Sequence, residues 1–154
     1  MRSFLVWRDD WLLGIELLDE QNLKFVEKLN ELHSHLMLDN NRQRPGANRL
    51  CRLLAQLLEM ARRNFQNEEG MMRAEGYHGL SGHHREHVLL LAELHESIRG
   101  IESGSKPFTL ETLTALKFWL IDHALNSDRL FIDYLDDQNF RKSLQKSALY
   151  HSIS

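Results

Sequence analysis

Apolar residues in this chain recur at helical spacing, three and four apart, rather than in strict alternation. Phe25, Val26, Leu29, Leu32 and Leu36 predict a first helix over 19–37, with Asp19 as its N-cap. Leu50, Leu53, Leu54, Leu57, Ala61, Phe65 and Met72 follow an Arg44-Pro45-Gly46 turn and predict a second over 47–74. Leu90, Leu91, Leu94 and Ile98 predict a third over 82–99, stopped by Gly100. Leu113, Leu116, Trp119, Leu120 and Ala124 predict a fourth over 109–125, after Pro107 and a Thr109 cap. The connections are short, so consecutive helices are antiparallel neighbours. The expected fold is all-α, an antiparallel up-down four-helix bundle in one domain.

Residues 1–18 carry Trp7, Trp11 and Ile15 without a helical period and predict an N-terminal extended arm on the bundle. Leu130, Phe131, Tyr134 and Leu135 predict a short C-terminal helix over about Asp128–Asp136, which closes a bundle of 19–136. The tail, 137–154, has weak amphipathicity at Phe140, Leu144 and Ala148 and reads as a loose or frayed helix.

Charge and composition narrow the function. The net charge of −3 is interleaved along the 154 residues, with no basic block to bind nucleic acid. No apolar stretch is long enough to span a membrane. The sole cysteine, Cys51, excludes an internal disulfide, reads as a small packing residue and predicts a reducing, cytoplasmic location. Histidine is the unusual count: there are nine, several of them late in the chain, which directs attention to metal chemistry.

Polar residues interrupt the apolar stripes. Asn22 falls on the Phe25/Leu29 face, Asn64 and Glu68 on the Leu57/Ala61 line, His83 and His87 on the Leu90/Leu94 face, and His123 after Leu116 and Leu120. A carboxylate buried among apolar side chains costs several kcal/mol (roughly) unless it is paired or bound to a metal. One cation would account for all of these groups at once. His83 and His87 are four apart and share one side of a helix, as do Asn64 and Glu68. His123 and Asp128 are five apart, which does not fit one face of an unbroken α-helix. A helix end at Asn126-Ser127 would let Asp128 turn back towards the site. His33, His35, His78, His84, His95 and His151 lie off these faces or alone and read as ordinary hydrogen-bonded histidines.

Four segments together resemble the hemerythrin family: WRDDWLLGIELLDEQ (7–21), NFQNEEGMM (64–72), HHREH (83–87) and WLIDHALNSD (119–128). The resemblance covers roughly 7–135. It implies a pair of irons in the bundle core that bind oxygen reversibly or sense it. His83, His87 and His123 match the histidines of the first iron, and Glu68 and Asp128 match the bridging carboxylates. The second iron needs two further histidines. Asn22 stands at one position, in DEQN where the motif reads DxQH. Asn64 stands at the other, in NFQNEE where the motif reads HFxxEE.

The resemblance therefore implies a complete site for one divalent ion, iron first, with manganese or zinc also accepted. The expected partners are that ion and a diatomic gas, in sensing of oxygen, nitric oxide or redox state rather than oxygen transport, and without enzymatic turnover. Superoxide dismutases, whose metal also sits among three histidines and a carboxylate, are the enzymatic analogy. A di-iron oxygen carrier and a scaffold bundle with a structural metal remain the alternatives. At the vacated place the two amides either hydrogen-bond each other, hold a water, or join the carboxylates around a hard, oxygen-preferring cation.

Overall fold

The computed structural model describes residues 3–40 and 47–153. Five helices carry the chain: α1 (Glu16–Asn40), α2 (Ala47–Ala74), α3 (Leu80–Ser103), α4 (Leu110–Asp122) and α5 (Arg129–Ile153), with a π-helical segment, His123–Asp128, joining the last two. Among the described residues there is no strand, and no helix is long and apolar enough to cross a membrane. The all-α bundle is as expected, and α2 keeps its predicted bounds. The Arg44-Pro45-Gly46 turn lies outside the described residues.

The stripes read from the sequence are the core. Leu29, Leu32, Leu54, Ala61 and Leu113 are completely buried, and Leu57, Phe65, Leu90, Leu94 and Leu116 pack with them in one cluster. A smaller cluster of Leu13, Leu18 and Ile132 joins the arm, α1 and α5. The arm is extended apart from one 3-10 turn, Asp9–Trp11. Asn30 fastens it like a strand partner: its Oδ1 accepts from Leu5 N at 2.9 Å and its Nδ2 donates to Leu5 O at 2.8 Å. Phe4 stacks on His33 at 4.6 Å, and Lys117 Nζ donates to Phe4 O at 3.1 Å.

Four local expectations need correction. α1 starts at Glu16, not at Asp19. Gly14, at φ +88°, turns the chain early. Asp19 then lies inside the first turns, where its carboxylate accepts from Leu13 N (2.7 Å) and Gly14 N (3.1 Å) and so ties the arm to the helix. α3 runs through Gly100 and ends at Gly104, whose φ of +71° makes the left-handed cap. Gly100 is instead a packing glycine: a Cβ there would meet Lys106 Cβ at 3.0 Å. The chain does not turn back at Asn126-Ser127 but continues helically into α5. That helix is not short and does not stop near Asp136, since it spans 25 residues. The Thr109 cap is as expected, with Oγ1 accepting from Thr112 N at 3.2 Å.

Candidate metal centre

α2 contributes Glu68, α3 contributes His83 and His87, and the π segment contributes His123 and Asp128, all five buried. The π segment explains the awkward spacing of five. Its i→i+5 hydrogen bonds widen the turn, so residues five apart come to lie on one face. His123 and Asp128 therefore both point inward without a break in the helix.

The five groups form one cluster. Glu68 and the three imidazoles each offer an atom within 4.8 Å of the others. Glu68 Oε1 is in direct contact with His83 Nε2 and lies 3.5 Å from His87 Nε2 and 3.6 Å from His123 Nε2. Asp128 Oδ1 is 2.9 Å from His83 Nε2 and 3.1 Å from His123 Nε2, yet it is aligned as a hydrogen-bond acceptor with neither ring.

Two carboxylates outside the cluster orient the rings. Glu69 Oε2 accepts from His87 Nδ1 at 2.9 Å, and Glu86 Oε2 accepts from His123 Nδ1 at 2.8 Å. Ser127 Oγ donates to both oxygens of Glu86 and holds it in place. With their Nδ1 protons committed outward, both rings turn an Nε2 lone pair inward. Those two Nε2 atoms are 3.1 Å apart. Two facing lone pairs repel, so the arrangement favours a positive charge between them, a proton or a cation. Phe65 stacks on His87 at 3.8 Å, and Trp119 stacks on His123 at 4.7 Å, so each ring plane is also fixed by an aromatic neighbour.

The charges agree. Burial opposes the imidazolium form of His83 and His123, but Asp128 and Glu68 outweigh it and raise them to about 9 and about 11. Burial likewise opposes the ionised form of Glu68, but hydrogen bonds from Asp128 and the imidazoles hold it well below the usual carboxylate range. Burial and then the charge of Glu68 push Asp128 up. The metal-free cluster thus stores protons where a cation fits, and metal uptake must release them. A divalent ion against two carboxylates leaves no net charge, which suits a buried site. The unaligned Asp128 oxygen and the facing Nε2 pair both fit such an ion.

The two asparagines differ. Asn64 is buried on α2, one turn before Glu68, and its Oδ1 has no protein hydrogen-bond partner. The amide–amide hydrogen bond considered for Asn22 and Asn64 is not formed through that oxygen. Asn22 is half-buried on α1 and lines a cavity of about 30 Å³ with Trp7, Trp11, Phe25 and Leu120.

The sequence reading overlooked Glu69 and Glu86. Glu69 directly follows a ligand candidate, and Glu86 lies between His83 and His87, so both were adjacent to the motif. Neither shares the inward face, however, and only the approach of α2 and the π segment to α3 makes them ring partners. His84, read as off the site, is exposed and contacts the same Glu69 that holds His87.

A helical bundle with a buried imidazole–carboxylate cluster is a cation-binding domain by fold and site. Residues 13–135 match the family described as the hemerythrin HHE cation binding domain, and the chain belongs to that family. It is 27% identical over 131 residues to a bacteriohemerythrin of Stenotrophomonas maltophilia, which covers 85% of this chain and 81% of that one. A bacteriohemerythrin of Clostridium acetobutylicum is 27% identical over 129 residues, 83% of this chain and 98% of its own. Among solved structures, wild-type hemerythrin superposes with a TM-score of 0.75 at 19% identity, over 84% of this chain and 95% of that one, a likeness of fold.

Proposed function

We propose that this chain binds one divalent metal ion, iron first, through His83, His87, His123, Glu68 and Asp128, and that it senses oxygen, nitric oxide or redox state rather than carrying oxygen. Manganese or zinc fits the same donor set. The observation that carries the proposal is the pair of inward Nε2 atoms of His87 and His123, 3.1 Å apart and each backed by a carboxylate. Asn22 and Asn64 leave the neighbouring place without imidazoles, so the site is mononuclear. Its role is binding, not turnover.

The bacteriohemerythrin relatives favour a second reading, a di-iron centre in spite of the asparagines. Absorption spectroscopy separates the two. The iron(II)-loaded chain, cycled between air and argon, is expected to show no reversible oxygen-dependent charge-transfer band. A band that appears in air and vanishes under argon would establish the carrier reading instead.

Glu86 supplies a second test. Glu86→Gln removes the charge behind His123 while keeping the size of the side chain. Loss of such a ring-orienting carboxylate is expected to weaken metal affinity by about 10–100-fold. Competition against a chelator measures it, and unchanged affinity would mean that His123 is not a ligand.

A further inference from the structure

Beyond Gln138, the described side chains of α5 are turned to solvent. Tyr134 makes its final polar tether, donating from its hydroxyl to Glu75 O at 2.7 Å beside the α2–α3 turn. Every residue from Asn139 to Ala148 is exposed. A helix of that length is marginal in water by itself, and this one carries an apolar stripe. Phe140 is 62% exposed and Leu144 55%, and Ala148 continues their line at the same spacing of four. Leu130, also 61% exposed, is separated from Phe140 by the exposed Asp133, Asp136 and Asp137 and stands apart from the stripe.

The charges on this segment are sorted by sign. Asp133, Asp136 and Asp137 precede Phe140, and Arg141, Lys142 and Lys146 follow it. From Leu130 to Ala148 the helix is acidic before Phe140 and basic after it, a pattern complementary to itself run in the opposite direction. Asp137 and Arg141 flank the stripe and pair within one chain at 3.2 Å, an exposed contact of little strength.

We infer that the stripe of Phe140, Leu144 and Ala148 is covered by a second copy of this chain, the two α5 helices packing antiparallel about a two-fold axis near Asn139. Asp137 of each copy then lies level with Arg141 of the other, and the helix dipoles oppose favourably. The aspartates beside Phe140, Asp136 and Asp137, disfavour a membrane surface as its cover.

Sedimentation velocity on the full chain across the micromolar range tests this. A concentration-dependent dimer is expected. Phe140→Glu with Leu144→Glu should leave a monomer whose metal content is unchanged, which shows that the bundle still folds. Asp137→Arg alone and Arg141→Asp alone each place like charges together and should weaken the dimer by about tenfold or more. An equimolar mixture of those two variants should dimerise again, because every cross-pair then has opposite signs. A monomer throughout, a dimer indifferent to the loss of Phe140 and Leu144, or a mixture that stays monomeric overturns the inference.

Discussion

Loading the metal-free chain with iron(II) is expected to raise its midpoint of thermal unfolding by roughly 10 °C. An ion present at about 1,000 times its dissociation constant stabilises the folded state by about 4 kcal/mol. For a domain of this size each kcal/mol moves the midpoint by about 2–4 °C. The effect is large because the unfolded chain cannot gather ligands from α2, α3 and the π segment. Glu68→Ala should abolish most of the shift, since Glu68 Oε1 lies within reach of all three Nε2 atoms. Calorimetry on the stripped and reloaded protein measures both. A midpoint that does not move at saturating metal would mean that the five side chains form a purely structural network.

Restoring the two missing imidazoles should have the other large effect. Asn22→His with Asn64→His completes the ligand set that the hemerythrin resemblance implies, and the double variant is expected to take up a second iron and acquire an oxygen-dependent absorption band. Either change alone supplies one imidazole and should do little, so the pair is expected to be strongly non-additive. The sites differ in the room they offer. Asn22 borders a cavity of about 30 Å³ that can absorb part of a larger ring. Asn64 is 3% exposed, and a bulkier side chain there must displace its neighbours. Stability should therefore fall more at Asn64→His. A double variant that folds, binds two irons and still ignores oxygen would place the block elsewhere in the pocket.

Much of this was legible before any coordinates, for a physical reason. A polar group on an apolar helical face is a costly exception, so Glu68, His83, His87 and His123 stood out by phase alone. Asp128 stood out only as a misfit, because α-helical geometry cannot place it beside His123. The π segment resolves the misfit, and its widened turn leaves no mark in residue type. Glu69 and Glu86 were hidden because their helices show them as surface residues, and they become ring partners only across helix contacts. Gly100 looked like a terminator because a glycine after a periodic run usually is one. Here it serves the close approach of Lys106. The length of α5 was missed because its residues Asn139–Ala148 are all exposed, and a periodicity reading depends on a buried face.

The central claim is a single, strongly held ion in a half-complete site. Elemental analysis against protein concentration, on chain prepared without added metal, loaded anaerobically with excess iron(II) and dialysed, measures it directly. The account predicts one iron per chain, lost together with His83, His87 or His123. Two irons per chain that resist dialysis would contradict it.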